Sequence, residues 1–345
     1  MSGDLILITG ATGFIGFAVL TKALQSGYRV RISVRREVQI ETLKNHALIQ
    51  PFANKLEGIV VPDITAEGAF EEALKDVVGV LHLASPLPFL KFEDTEKEII
   101  EPAINGTLSI LTSALKFPQI KRVVITSSAV AIMTDQVTEP SNPPITYTAK
   151  TRITPLPSAP YPTDNWGAYR AAKTLSLDAT ERFLAEKKPH FTIINLHPGY
   201  VVGRNELVTK PEELLGGSNA AALGVVLGAV KGVKREAFTT PITDLARIHV
   251  EALDDRIVES QSFLLISGKD GEKADFNEVN EIAKTYFADA VSEGILNPVG
   301  STEAVYQDVD KSTTTATFGH MDSFRDAAKA VIGQYVELKR EAAKA

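Results

Sequence analysis

Cysteine is absent from this chain of 345 residues. That excludes disulfides, thiolate nucleophiles and every cysteine-ligated zinc or iron–sulfur site. Histidine is scarce, with six in all (His46, His82, His190, His197, His249 and His320), and none stand in HxH or HExxH spacing. No metal site is expected. Long apolar runs are missing as well. The most apolar internal window, 220–230, is interrupted by Gly224 and Gly228 and is too short to cross a bilayer. The start, Met1 to Asp4, lacks the basic and apolar stretches of a secretory signal, and the end carries no retention or lipidation signal. The expectation is a cytoplasmic protein with no membrane partner. There is also no basic excess: 36 Lys and Arg against 43 Asp and Glu leave a formal charge of −7. Nucleic acid is a poor partner for such a surface, because the phosphate backbone rewards clustered cations. One anionic ligand at a local arginine remains compatible with it.

What is present is an ordinary globular composition, 44% hydrophobic and 23% charged, enough to bury a substantial core. The length suits one large domain, or a domain with a smaller lobe. Short apolar segments at 4–9, 28–34, 58–61, 78–83, 121–126 and 191–196 read as strands. Amphipathic stretches at 14–26, around 93–117 and at 166–187 read as helices. This alternation implies right-handed crossovers and an α/β fold, a doubly wound parallel sheet covered on both faces. After Pro198 the chain becomes richer in glycine and small residues. A strand at 262–266 is expected to return to the sheet edge. Beyond Gly271 the pattern is mostly helical and ends in a charged helix at 322–344. The expected division is a dinucleotide-binding domain over 1–200, with 242–268 returning to it, and a smaller, mostly helical substrate lobe over 201–241 and 269–345. The proline-rich stretch 140–162 reads as an ordered functional loop. A monomer and a homodimer fit the sequence equally.

Between the first strand and the first helix stand Gly10, Ala11, Thr12, Gly13, Phe14, Ile15 and Gly16. Glycine at 10 allows a tight turn, at 13 close approach to a pyrophosphate, and at 16 close helix–strand packing. The helix N-terminus offers free N–H groups to that anion. At the end of the second strand, where NAD enzymes carry an acid, Arg35 and Arg36 stand instead. A guanidinium can form paired, charge-assisted bonds to a 2′-phosphate, so NADPH is the expected cofactor.

Tyr169 and Lys173 lie four residues apart, on one face of a helix. A nearby ammonium favours the phenolate and brings the phenol toward working pH as a proton donor. Tyr335 and Lys339 repeat the spacing, but follow no strand and read as helix surface. Ser127 and Ser128 end the fifth strand, where open α/β sheets bind ligands, and a hydroxyl there can polarise a carbonyl.

The stretches ITGATGFIG (8–16), VRISVRR (30–36), HLASP (82–86), RVVITSSA (122–129), YRAAK (169–173) and HPGYVVG (197–203) resemble the extended short-chain dehydrogenase/reductase family. Within it the chain looks closest to the dihydroflavonol reductase, cinnamoyl-CoA reductase and fungal aldehyde/ketone reductase branch. The resemblance implies that Ser128 polarises a carbonyl, Tyr169 protonates its oxygen, and Lys173 also binds the nicotinamide ribose. It further implies that Asp63 and Ile64 meet the adenine, Ala84 and Ser85 lie along the cofactor, and Pro198 and Gly199 face the nicotinamide. Many extended members carry Asn where Ala103 stands here, with Asn105 two residues on. That departure puts a proton relay through this Asn in doubt.

Phe89, Phe92, Met133, Trp166 and Tyr200 are candidate substrate residues, and their apolar character suggests aldehydes or ketones with hydrocarbon or aryl groups. His82 and His197 read as packing residues. A nucleotide-sugar epimerase or dehydratase with bound NAD is the alternative within enzymes. Outside enzymes the alternative is a non-catalytic NADP-binding redox sensor, which would not need the Tyr-Lys pair.

Overall fold

In the computed structural model, which describes residues 3–344 apart from 90, 139, 142, 270 and 271, every residue of Leu5–Thr9 (β1) is buried. A strand without a solvent-facing side needs cover on both faces, the usual situation of a parallel sheet. Arg29–Val34 (β2), Leu56–Val60 (β3), Gly79–His82 (β4), Arg122–Thr126 (β5) and the strand Thr192–Pro198 follow it in the chain. These six pair in parallel in the order β3-β2-β1-β4-β5 and then Thr192–Pro198. The returning strand, Gln261–Leu265, takes the edge beyond and makes the sheet seven-stranded. Strand order reverses between β1 and β4, so their carboxyl ends form the switch point at which such sheets bind ligands. The expected strands are all present, with ends displaced by one or two residues.

Helices depart from expectation in two places. The long helix near 93–117 begins as a π-helical turn, Glu96–Ile100, and becomes α-helical only over Glu101–Ala114. Pro102, at the start of the α-helical part, has no N–H to donate, and the wider turn before it absorbs the missing bond. Val38–Lys44 and the 3₁₀ segment Gln50–Lys55 were not anticipated. Their apolar signal is slight: the first buries only Ile40 and Leu43, the second buries nothing.

The chain divides into two compact units. The first comprises Met1–Ile132, Arg152–His197 and Ala246–Phe263, and holds the sheet. Its core on one face is built from Leu5, Leu7, Phe70, Val80, Ile110, Val123, Phe183 and Ile193. The second comprises Met133–Thr151, Pro198–Leu245 and Leu264–Ala345. Its core gathers Phe276, Ile282, Phe324, Val331 and Val336 from the helices around 278–286 and 324–342 with Leu223 and Val225 of Ala220–Val226. The segment 133–151 was expected in the first domain. It joins the second unit because Thr146–Thr148 pairs with Asp308–Asp310, and the Gln136 N–H donates to Glu236 at 3.1 Å. The C-terminal part is also less purely helical than expected, since Thr302–Val305 pairs with Val233–Glu236. Strands of three or four residues leave too short a pattern to read. Gly271, where the helical run was expected to begin, lies outside the described residues.

Two glycines of the first turn are required by packing. Gly10 has φ of +74°, and a Cβ there would sit 2.8 Å from the Ala84 nitrogen. A Cβ on Gly16 would sit 2.0 Å from the Gly10 carbonyl oxygen. Gly16→Ala should therefore force the turn and helix Phe14–Gln25 (α1) apart, destabilising the protein by roughly 1–3 kcal/mol in denaturant unfolding. An unchanged unfolding midpoint would contradict this contact.

Candidate active site

The turn after β1 is tied to β4 by one hydroxyl. Thr9 Oγ1 accepts hydrogen bonds from the Leu83 and Ala84 N–H groups, each at 3.0 Å. Beyond it, Thr12 and Gly13 are exposed and Phe14 and Ile15 half-buried. Gly13 caps α1 without any side-chain bond. A Cβ at 13 would meet nothing nearer than 3.5 Å, so packing within the protein does not demand glycine there. What glycine leaves at 13 is bare backbone on the outer side of a helix N-terminus, the arrangement that suits a pyrophosphate.

Four arginines, Arg29, Arg31, Arg35 and Arg36, stand on or directly after β2. Arg31 is committed: Nε donates to Glu57 at 2.7 Å, and the guanidinium also caps the carbonyls of Ala73 and Lys75. Arg35 and Arg36 are exposed, and neither forms an ion pair among the described residues. Asp63 accepts from both the N–H and the hydroxyl of Thr65, at 2.8 and 2.7 Å, and these bonds hold its carboxyl below the usual carboxylate range. Ile64 packs over Gly106, where a Cβ would come within 2.9 Å of it.

The residues expected to be catalytic lie at the ends of β4 and β5. Asp164 caps the helix Asn165–Lys187 by accepting from the Gly167 N–H at 2.8 Å, which fixes the start of the helix that carries Tyr169 and Lys173 in its next two turns. Lys173 is buried; its ammonium donates to Ser85 Oγ at 3.2 Å and to the Thr126 carbonyl at 3.3 Å. It also lies 5.7 Å from the centre of the Tyr169 ring. Thr126 ends β5, so this bond docks the helix on the strand that carries Ser127 and Ser128. Burial drives the Lys173 pKa from 10.5 down to about 8. Ser128 begins the 3₁₀ turn Ala129–Ala131, accepting from the Val130 N–H at a long 3.4 Å, and its own O–H is left to donate elsewhere. The helix packs against that turn. The second Tyr-Lys pair was expected at the helix surface, but only Lys339 is there, bound to Glu212 at 2.8 Å; Tyr335 is buried in the core of the second unit.

Residues 6–223 match the model of the "NAD dependent epimerase/dehydratase family". Ketoreductase CTB6 of Cercospora nicotianae is 32% identical, over 98% of this chain and 96% of its own. The chain belongs to the extended short-chain dehydrogenase/reductase family. Aldehyde reductase 2 of Sporidiobolus salmonicolor is 32% identical over 66% of this chain and 65% of its own length. Among solved structures, the yeast methylglyoxal/isovaleraldehyde reductase Gre2, complexed with NADPH, shares the fold. Its TM-score is 0.80 at 23% identity, over 97% of this chain and 99% of that one.

Within this short-chain dehydrogenase/reductase the two histidines do more than fill space. Thr9 Oγ1 accepts two N–H bonds, so its own proton goes to His82 Nδ1, 2.9 Å away, and His82 carries its hydrogen on Nε2. The His197 Nδ1–H donates to the Ser128 carbonyl at 3.2 Å, steadying the backbone that presents the Ser128 hydroxyl. Burial is the main cause that lowers both imidazoles to about 3, so both are neutral at working pH. Neither was singled out as functional; the available signal was a polar residue inside an otherwise apolar strand.

Of the candidate substrate residues, Phe89 and Trp166 come together with Tyr169. Their rings form an edge-on row, Phe89 to Trp166 at 5.8 Å and Trp166 to Tyr169 at 5.9 Å. Phe89 and Trp166 are 42% and 41% exposed, so the row offers an apolar wall beside the phenol. Phe92 instead is half-buried and packs against the apolar cluster that includes Ile99, Ile100, Ala103 and Ala168. Met133 is wholly buried in the second unit. Tyr200 is stacked on Phe238 there, at 5.7 Å. Pro198 and Gly199 also belong to that unit, and Gly199 has an internal reason to be glycine, since a Cβ would meet the Phe238 carbonyl at 2.5 Å. Ala103 is part of the apolar cluster and Asn105 faces solvent, so neither sets an amide beside Lys173. Among the described residues no group of acidic or histidine side chains could hold a metal ion, and no helix is long and apolar enough to cross a membrane.

A lysine lowered from 10.5 to about 8 costs the fold about 3 kcal/mol while it is charged. The sign follows from proton counting. Below pH 8 both folded and unfolded chains hold the proton and the full cost applies; between 8 and 10.5 the unfolded chain holds more, so stability rises with pH. Lys173→Met should therefore unfold at a higher temperature than the parent at pH 7. That advantage should shrink as pH approaches 10.5. A lower melting temperature at pH 7 would show that the buried ammonium stabilises the fold.

Proposed function

We propose that this protein is an NADPH-dependent carbonyl reductase that converts aldehydes or ketones to alcohols, with Ser128, Tyr169 and Lys173 as its catalytic residues. The observation that carries the reading is the buried Lys173 ammonium beside the Tyr169 ring, joined to the strand end that bears Ser128. The ketoreductase and aldehyde reductase names among its relatives support the reaction class. The outward-facing bareness at Gly13, the α1 N-terminus and the uncommitted Arg35 and Arg36 fit a dinucleotide with a 2′-phosphate.

In this reading Gly10, Thr12, Gly13, Phe14, Ile15 and Gly16 hold the pyrophosphate, and Arg35 and Arg36 the 2′-phosphate. Asp63, Ile64, Ala84, Ser85, Pro198 and Gly199 flank the rest of the cofactor. A nicotinamide bound there would supply hydride, from its C4, for a carbonyl carbon. The Ser128 hydroxyl donates to the carbonyl oxygen and stabilises the negative charge that grows on it. The Tyr169 O–H gives its proton to that oxygen, and the Lys173 ammonium stabilises the phenolate left behind. Phe89 and Trp166 face the hydrocarbon or aryl part of the substrate and exclude water from it. The second unit serves as the substrate lobe, and the protein works in the cytoplasm. An epimerase or dehydratase with bound NAD, which the family model's own description names, would need no group for a 2′-phosphate, and the exposed Arg35 and Arg36 speak against it.

The direct test is the loss of NADPH absorbance with a panel of aldehydes and ketones; tight NADPH binding with no consumption by any of them would favour a sensor instead. Tyr169→Phe should lower turnover by ~10²–10⁴-fold while NADPH affinity stays within about twofold. Arg35→Ala should raise KM for NADPH by roughly tenfold or more and leave KM for NADH nearly unchanged, since a charge-assisted bond is removed from one cofactor only. Equal effects on both cofactors would defeat the 2′-phosphate assignment.

A further inference from the structure

One half-buried cation of the second unit has no anion beside it among the described residues. Arg235 lies in the strand Val233–Glu236, and its Nε is buried without a hydrogen-bond partner. No ion pair or hydrogen bond joins the rest of its guanidinium to another described residue. The guanidinium carbon instead lies 5.7 Å from the centre of the Tyr200 ring and 5.8 Å from that of Phe276. Those two rings meet edge to face at 5.9 Å, and Tyr200 is backed by Phe238. Aromatic rings attract the cation but give its N–H groups no acceptor.

The carboxylates close to it in the chain or the sheet are engaged elsewhere. Glu236, the next residue of the strand, points to the opposite face and accepts from the Gln136 N–H at 3.1 Å. Glu303 also falls on the opposite face, because Ala304 is the residue paired with Arg235. Beside Phe276, Asp275 accepts from the Asn277 N–H at 2.8 Å, and Glu278 is joined to Arg325 at 3.5 Å. Arg204 and Arg325 of the same unit each have a glutamate. Arg235 does not. Burying part of a guanidinium in this way works against the fold unless something supplies the missing acceptors. Its place in the chain suggests what does. Tyr200 directly follows Gly199, which the proposed function sets beside the cofactor, and the Tyr200 N–H donates to the Phe238 carbonyl at 2.9 Å.

We propose that Arg235 is the anion-recognising residue of the substrate lobe, and that the carbonyl compound reduced by this protein carries a carboxylate: a keto acid, converted to a hydroxy acid. The substrate class rests on the carbonyl-reductase reading, but the carboxylate site does not. A planar guanidinium matches the two oxygens of a carboxylate with paired, charge-assisted bonds. Tyr200 and Phe276 hold the guanidinium in place and keep water from those bonds, which strengthens them. The carboxylate takes no part in the chemistry; hydride and proton go to the carbonyl, and the acid group only orients it. A neutral ketone would leave the guanidinium unanswered, and a site built around such a group rejects the analogue that lacks it.

Two measurements on the full chain test it. Saturation-transfer NMR reads binding of phenylacetate, phenylpropionate and phenylbutyrate, none of which can be reduced, against their neutral amides. At least one carboxylate should bind about tenfold more tightly than its amide, and Arg235→Met should remove that ratio while keeping a stem against the rings. Arg235→Lys should keep only part of it, because an ammonium retains the charge without the fork. A ratio unchanged in Arg235→Met, or no bound carboxylate, overturns the site. Turnover with NADPH then compares benzoylformate, benzoylpropionate and benzoylbutyrate with their methyl esters. The acid of at least one pair should have the higher kcat/KM by about tenfold, and Arg235→Met should cut the acid-to-ester ratio by the same factor, mainly through KM. Preference for the ester in every pair, or equal losses on acid and ester, overturns the substrate class. Removing an unpartnered cation should leave the melting temperature level or raise it. A fall in melting temperature with the ratio intact assigns Arg235 to the fold and overturns the proposal; Arg235→Gln gives the same comparison if Arg235→Met folds poorly. If a carboxylate binds the parent but not Arg235→Met while no carbonyl is reduced, the site stands and the carbonyl-reductase reading falls. If neutral ketones are reduced and no acid is favoured, the reading stands and this inference falls.

Discussion

The bonds from the Lys173 ammonium to the Thr126 carbonyl and the Ser85 hydroxyl, at 3.3 and 3.2 Å, tie together three elements that are distant in sequence. The helix Asn165–Lys187 supplies the cation, β5 the carbonyl, and the segment after β4 the hydroxyl. Everything chemical in the first unit is arranged around that joint. Tyr169 lies beside the ammonium because it stands one helical turn before it. Ser128 is near because β5 ends two residues earlier. The arrangement works against stability, since the same burial that brings the lysine near neutrality makes it an unfavourable tenant of the interior. Under the proposed function, a site that uses a cation beside a phenol accepts that cost.

Around the joint the sheet is less apolar than its sequence suggests. β1 and β4 are held at the switch point by the Thr9 hydroxyl, which serves two N–H groups and His82 at once. His197 reaches the Ser128 backbone from the next strand, and Thr126 is bonded to His249 at 2.7 Å. Each polar group occupies a position that a purely structural sheet would fill with Val or Ile. Partnered buried polar groups specify one arrangement of the strand ends more sharply than apolar packing does. The close turn at Gly10 and Gly16 has the same effect on α1, where backbone meets backbone with no side chain between.

Local patterns carried the fold class, the strand segments of the first half, the glycine turn and the Tyr-Lys pair. Each is written in consecutive residues: five buried apolar positions for β1, three glycines at fixed spacing, and two side chains one turn apart on a helix. The same reasoning separated Tyr169 from Tyr335, because only the former has a strand-end serine upstream. It could not see that 133–151 leaves the first domain, since that depends on Thr146–Thr148 finding a partner strand more than 150 residues away. Nor could it sort the aromatic candidates. Phe89 and Phe92 look alike in sequence, yet one lines up with Trp166 and Tyr169 while the other lies half-buried against the apolar cluster around Ile99 and Ala168.

The sequence by itself determined which residue types were available, and through their periodicity which segments became strands and helices, because those preferences are set by neighbours a few positions away. Tertiary structure alone decided which polar groups were left to act. Arg31 is committed to Glu57 while Arg35 and Arg36 are not. Arg235 lies over Tyr200 and Phe276, while Glu236, next in the chain, meets Gln136. Those facts arise from strand register and helix docking, in which contacts between residues remote along the chain fix what each side chain meets.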